Sequence, residues 1–312
     1  MKTSVIVSSM NRKVTLLRLM DNLVAQTNRP DEVIVVEAGG GTWSPDEVPS
    51  ALRAGFNVLY AKGEALAVSR DKGQQAATGD VLFFLDDDIV MPNTYVAQAL
   101  AYLAANPSVM AVGGAYVDKD APDRADSKHL FARLMGIHGD GHANRLLPSG
   151  WTDYVRGLYA QEVSEAEWLF GCNSVVRATA FPKAQFATGM AAWSFLEDVF
   201  FGRSLMKNFG LCLRVLPSLR VIHDPPSSGG RISPATLRMR VLYRYILWRE
   251  HVAKNLKSRF MFALGMLANL LLMIKQEKRF WVVPESLKAT LFIIKNPNLS
   301  WEEANEFIFS KT

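Results

Sequence analysis

The stretch Gly79-Asp80-Val81-Leu82-Phe83-Phe84-Leu85-Asp86-Asp87-Asp88-Ile89-Val90 decides how this chain is read. Residues 81–85 are an apolar run too short for a buried helix and suited to a strand covered on both faces. Gly79-Asp80 ahead of them is turn chemistry. Three adjacent carboxylates follow. They repel one another unless something positive sits among them, and hard divalent cations such as Mn2+ or Mg2+ prefer oxygen ligands of this kind. Along an extended turn, Asp86 and Asp88 are expected to point the same way, with Asp87 turned aside. The plainer alternative is a solvated acidic turn.

Outward from this stretch, strand and helix signals alternate. Residues 3–9, 32–37, 56–61 and 109–117 read as further strands, and 12–26 as an amphipathic helix capped by Asn11. Residues 64–78 read as a helix ending at Gly79, and another helix begins after Met91-Pro92. Such alternation predicts an α/β fold, with a mostly parallel central sheet flanked by helices. In sheets of this kind ligands bind outside the C-terminal strand ends. Ser8–Asn11, Glu37–Gly41 and Asp86–Asp88 are therefore expected to converge. Residues 118–166 carry weak signals, and a strand resumes at 168–176. A helix over 197–208 and short strands at 211–216 and 219–223 follow, and the pattern is helical from 234 onward. The expected organisation is a catalytic domain over 1–225, split near residue 117 into donor-side and acceptor-side halves. Residues 226–312 form a loop and a C-terminal helical appendage.

Composition narrows the class. The chain has 312 residues and 21% charged residues, a globular profile rather than a disordered one. Two cysteines make no disulfide framework, so a reducing cytoplasm is expected. The net charge is +5, yet residues 235–279 hold ten basic groups and two acids, so the rest of the chain is acidic. A basic C-terminal region points to an anionic surface; no nucleic-acid motif accompanies it.

MKTSVIVSSMNR (1–12), VIVVEAGGGT (33–42), AVSRDKGQQAATGDVLFFLDDDIV (67–90) and FLEDV (195–199) together resemble the inverting family 2 glycosyltransferases of the GT-A fold. The resemblance spans roughly residues 1–225. It implies that Glu37, at the end of the second strand, binds the nucleotide base, and that Arg70 and Asp71 close over the base and diphosphate. It implies that Asp86 faces the ribose and Asp88 holds the metal, with Asp86 assisting. Ser8, Asn11, Arg12 and Asp87 join the nucleotide-sugar site. The Glu197-Asp198 pair faces the acceptor, with Asp198 as the general base. By the same likeness His223 is a candidate third metal ligand. Arg231, by its place after a Pro/Gly-rich loop that can close, is a candidate diphosphate partner. The plain alternatives are a helix-start acidic pair favoured by the helix dipole, a packed histidine and a surface arginine.

The expected reaction uses a UDP-sugar, or a dTDP-sugar second, and a glycan or lipid-linked acceptor. Rivals are a phosphatase of the haloacid dehalogenase type with Asp86 as nucleophile, a nucleotidyltransferase making nucleotide sugars, and a non-catalytic carbohydrate-binding scaffold. Residues 260–274 are nearly all apolar between basic flanks, shorter than the hydrocarbon core they would need to cross. They are expected to lie in the surface of the inner membrane face, or to pack into a core or a homodimer interface. Tyr243, Tyr245, Trp248, Phe260, Phe262, Phe280 and Trp281 suit either setting.

Overall fold

The computed structural model describes residues 1–41, 43–118, 128–156, 160–181, 183–224, 233–252, 254–277 and 281–310. Four parallel strands come first: β1 (Thr3–Ser9), β2 (Glu32–Glu37), β3 (Phe56–Tyr60) and β4 (Val81–Asp86). The helices α1 (Lys13–Val24), α2 (Leu66–Ala76) and α3 (Tyr95–Ala105) alternate with or follow them. Two short strands, β5 (Ile89–Val90) and β6 (Ala111–Gly113), precede β7 (Tyr116–Asp118). The helix α4 (Lys128–Leu134) leads to β8 (Arg145–Leu146), β9 (Thr152–Asp153) and β10 (Ser164–Ala166). Then come β11 (Asn173–Arg177), α5 (Glu197–Phe209), β12 (Leu213–Val215) and β13 (Val221–His223). The chain closes with α6 (Pro234–His251), α7 (Leu256–Glu277), α8 (Val282–Lys295) and α9 (Trp301–Phe309).

The main sheet runs β10-β12-β6-β11-β4-β1-β2-β3. It is mostly parallel, but β11 runs antiparallel between β4 and β6, and β10 runs antiparallel at the edge. Alternate side chains feed opposite faces. Val5, Val7, Phe83 and Leu85 pack with Leu16, Leu19, Met20 and Leu23 of α1, while Ile6, Leu82 and Phe84 pack with Phe186, Phe201 and Leu205. Each fully buried side chain of this size contributes about 1.5–3 kcal/mol, so the period-two pattern holds the register of β1 and β4. α2 lies close on β1 because Gly73 has no Cβ: one added there would sit 2.4 Å from an Ile6 methyl.

Three expectations are corrected. The run 109–117 is two strands in two different sheets, because the chain kinks at Gly113-Gly114. A Cβ on Gly114 would fall 1.9 Å from the Leu219 carbonyl oxygen, so only glycine lets β6 and the segment after α5 approach. Asn11 does not cap α1; Arg12 occupies the cap position without a side-chain bond, and Asn11 adopts a left-handed conformation, φ 57°. The division near residue 225 is also redrawn. The chain forms two compact units, one of 1–124, 142–144 and 155–229, the other of 125–141, 145–154 and 230–312. The second unit draws in the middle segment because Trp151 packs on Gly265 and Phe262 of α7, joining Ile137 and Ala268 in one core.

Candidate functional site

The site lies at the C-terminal tips of the central strands. Register pairs Ser8 with Asp86 across β1 and β4, and Ser9 with Glu37 across β1 and β2, so the three predicted clusters do converge. Asp87 is buried; its carboxylate accepts from Ser9 Oγ at 2.7 Å and from Arg12 Nη1 at 3.1 Å. Asp88 accepts from the same Arg12 nitrogen at 2.7 Å through Oδ2. Burial pushes the Asp87 carboxyl up to about 6, against the Ser9 hydroxyl and Arg12. Burial acts on Asp88 too, but His223 and then Arg12 outweigh it, and its carboxyl falls below the ordinary value.

His223 reaches the turn through the small sheet. β13 pairs antiparallel with β5, placing His223 opposite Ile89, and Asp224 N–H donates to the Asp88 carbonyl at 2.8 Å. The second carboxylate oxygen of Asp88, Oδ1, is buried and makes no hydrogen bond; His223 Nε2 lies 3.4 Å from it. That pairing passes a test for a divalent cation. Adjacent ligands of an octahedral Mg2+ site lie about 3 Å apart, and one or two protein ligands suffice when substrate phosphates complete the shell. Among the described residues no group of three or more Asp, Glu, His or Cys side chains is arranged around one point, so the protein alone offers a partial site.

Asp86 is bound from the other side of the turn. It is the most exposed of the three acids, and its Oδ1 accepts from Arg70 Nη2 at 2.8 Å. Arg70 is 3% exposed and also pairs, through Nη1, with Glu197 Oε1. A single buried guanidinium therefore ties the end of β4 to the first turn of α5. Gly171 permits it: a Cβ there would stand 2.2 Å from Arg70 Nη1 and 2.5 Å from Glu197 Oε1. Asp198, next in sequence, accepts from the N–H groups of Gly171 and Val199 at 3.3 and 2.9 Å. Burial raises its carboxyl above the ordinary value, although Arg70 and those two N–H groups pull the other way. A carboxylate so poised is a better proton acceptor than one in water.

The approach to α5 is strained. Ala192, Ser194 and Leu196 all have positive φ, 51°, 50° and 71°, which non-glycine residues adopt at a cost. Tertiary bonds hold them. Leu66 N–H donates to the Ala192 carbonyl at 2.9 Å, and Ala67 N–H donates to Ser194 Oγ at 3.2 Å. α2 has no capping side chain of its own, so this distant loop caps it.

Glu37, at the tip of β2, is held by its own neighbours. It is fully buried; Oε1 accepts from the N–H groups of Asn11 and Gly39 at 3.2 and 2.8 Å, and Oε2 from Trp43 Nε1 at 2.8 Å. Those bonds engage both carboxylate oxygens and hold Asn11 and the segment after β2 together as one wall. Asn11 Oδ1 accepts from Gly40 N–H at 2.8 Å, closing the same wall. Asp71 is turned elsewhere: with Gln75, Phe181, Gln185 and Thr188 it lines a separate cavity of about 570 Å3, and burial raises its carboxyl. Ser8 Oγ, level with Asp86, is buried without a hydrogen bond. Arg231 lies outside the described residues. Sequence reasoning missed Trp43, Gly171 and Ser194. Only Gly171, beside the acidic motif's strand, offered a signal.

A mostly parallel sheet with an Asp-rich turn at its tips and an acid pair bound back to it belongs to the GT-A class of fold. The chain belongs to glycosyl transferase family 2, whose family model matches residues 4–161. It is similar to a glucosyl-dolichyl phosphate glucuronosyltransferase of Haloferax volcanii, 30% identical over 53% of this chain and 52% of that one. It is also similar to an uncharacterised glycosyltransferase of Haemophilus influenzae, 32% identical over 34% of this chain and 36% of that one. The chain thus spans about half, or less, of the curated relatives it matches. Among solved structures, S. aureus TarS (residues 1–349) in complex with UDP-GlcNAc superposes at a TM-score of 0.59, with 14% identity, 93% of this chain and 79% of that one. The mannosyltransferase of Pyrobaculum calidifontis, in complex with GDP-Man and Mn2+, superposes at 0.54, with 16% identity, 96% of this chain and 77% of that one. At such identities these structures testify to the fold.

Proposed function

We propose that this chain transfers a sugar from a nucleoside diphosphate sugar, a UDP-sugar before a dTDP-sugar, to a hydroxyl of a glycan or lipid-linked acceptor, with inversion. The observation that carries the reading is the Arg70 bridge: it joins Asp86 on the donor side to Glu197, beside Asp198, on the acceptor side. Asp198 accepts the proton of the acceptor hydroxyl as its oxygen bonds to the anomeric carbon and the bond from that carbon to the diphosphate breaks. The N–H groups of Gly171 and Val199 hold Asp198 in place, and Asp86 faces the ribose. Asp88 and His223 would hold Mn2+ or Mg2+, which neutralises charge on the diphosphate when bound. Metal-bound and nucleotide-sugar-bound structures of the same fold support this reading. The free thiols Cys172 and Cys212 fit a cytoplasmic setting, and the dolichyl phosphate-linked sugar in the name of the Haloferax volcanii relative favours a lipid-linked acceptor. A phosphatase would need Asp86 free as a nucleophile, whereas here Arg70 holds it.

Isothermal titration of UDP with and without Mn2+, together with UDP release from UDP-sugars, tests the proposal. Asp198→Asn is expected to keep donor affinity and lose at least ~10²-fold in turnover. Unchanged turnover in that variant removes Asp198 from the mechanism.

A further inference from the structure

The second compact unit carries an apolar surface that its own core does not use. Along α7, Leu256, Phe260, Ala263, Leu267 and Leu271 are all exposed. At 100° per residue they fall within an arc of roughly 80°, so they form one stripe. The opposite side of α7 is seated on the protein through Gly265 against Trp151, with Ala268 and Met273 buried. α8 repeats the arrangement: Pro284, Leu287, Leu291 and Ile294 face out, and Ala289 and Ile293 face in. α4, which shares a core with α7 through Ala132 and Ala268, exposes Leu130, Phe131 and Leu134. Phe260 is 67%, Ile294 68% and Leu134 70% exposed, values that belong to residues awaiting another phase. No acid interrupts the two stripes. Lys257 and Arg259 flank the α7 stripe, and Lys288 and Lys295 flank that of α8.

Of the aromatics that suited either a membrane or a core, those of α6 lie in the core. Tyr243, Tyr245 and Trp248 are buried, with Tyr243 Oη donating to Asn305 and Trp248 Nε1 to the Pro148 carbonyl. α7 is longer than its apolar run suggested, and residues 256–274 are long and apolar enough to cross a bilayer by composition. One side of it is nevertheless packed on protein, so crossing would strip that side from Trp151.

We propose that the outward stripes of α4, α7 and α8 dock on an anionic lipid surface, lying in the plane of the head groups. Charge complementarity selects this occupant: lysines and arginine beside an apolar stripe suit anionic head groups, whereas a second copy would bring like charges together. The inference rests on the reading that the acceptor is lipid-linked, and adds the surface by which the enzyme would meet it.

Flotation of the full chain with vesicles of neutral phosphatidylcholine, alone or with about one-third phosphatidylglycerol, tests the surface without any acceptor. Binding is expected to anionic vesicles, to weaken in high salt, and to fall at least ~10-fold in Phe260→Ser/Leu267→Ser/Leu291→Ser. Lys257→Glu/Lys295→Glu, at two exposed lysines away from the Arg238–Glu285 pair, is expected to weaken it as well. Circular dichroism and UDP release on a soluble acceptor are expected to be unchanged in both. Equal binding by wild type and both variants, or none by the wild type, overturns the proposal. A dimer in vesicle-free buffer that the triple variant dissolves assigns the stripes to self-association and also overturns it. Absence of UDP release from every nucleotide sugar would sink the transferase reading instead, leaving the vesicle result to be judged alone.

Discussion

Arg12 sits where a cation would compete. Its Nη1 is 3.1 Å from Asp87 Oδ1 and 2.7 Å from Asp88 Oδ2, so a guanidinium neutralises Asp88, the acid expected to hold the metal, together with its neighbour. Arg12→Ala is expected to tighten Mn2+ binding by about 3–10-fold in direct titration, since the ion no longer displaces a bonded charge; unchanged affinity would show that the guanidinium and the ion use different faces. Asp198 carries a pH signature. Its folded carboxyl is raised, so it protonates at a higher pH than a free aspartate. Turnover is expected to fall on the acid side within a window above the ordinary carboxylate range of about 4, and pH–rate profiles read this directly. The same shift means that its contribution to stability is present at low pH and lost as pH rises through the raised value. Asp198→Asn should therefore not destabilise the protein at pH 8, and a clear drop in melting temperature there would contradict the burial argument. The acids, Arg70 and His223 were legible as residue types. Which of them pair was not, because Arg70 meets Glu197 across 127 positions of chain.

At the scale of elements, the start of α2 depends on the loop before α5. Ser194 holds a positive φ and donates no local cap; its oxygen serves Ala67 instead. Ser194→Ala is expected to cost about 1 kcal/mol of stability and to lower kcat more than donor affinity, because α2 carries Arg70 and Arg70 orients Glu197. Chemical denaturation and steady-state kinetics separate the two effects; a loss of stability with kcat intact would limit Ser194 to capping. β1, β2, β4 and α1 are readable from pattern, since the strands are short apolar runs buried on both faces and α1 buries one regular stripe. β6 and β7 are not. Nine apolar residues in a row look like one strand, and the break is set by the Leu219 backbone approaching Gly114. Long-range contact, invisible to a local window, decides it.

At the scale of the molecule, each unit has its own core, and the second is locked by charge. Arg238 is 2% exposed; Nε donates to Glu285 Oε2 at 2.7 Å, and Nη1 donates to the carbonyls of Phe307 and Ser310 at 3.2 and 3.0 Å. Glu285→Ala would leave that guanidinium buried without its counter-charge, at an expected loss of about 3–5 kcal/mol in denaturant unfolding, much of it recovered in Glu285→Gln if hydrogen bonding rather than charge dominates. By itself the sequence determined the α/β layering, the acidic tip after β4 and the family, because periodicity and local motifs are properties of adjacent residues. Tertiary structure alone decided that Glu37 is consumed by Asn11, Gly39 and Trp43, that Asp86 belongs to Arg70, and that residues 125–141 and 145–154 join the C-terminal unit. The physical reason is shared. A buried polar group takes whichever partner the packed chain brings within reach, and that partner is set by three-dimensional distance rather than by spacing along the chain.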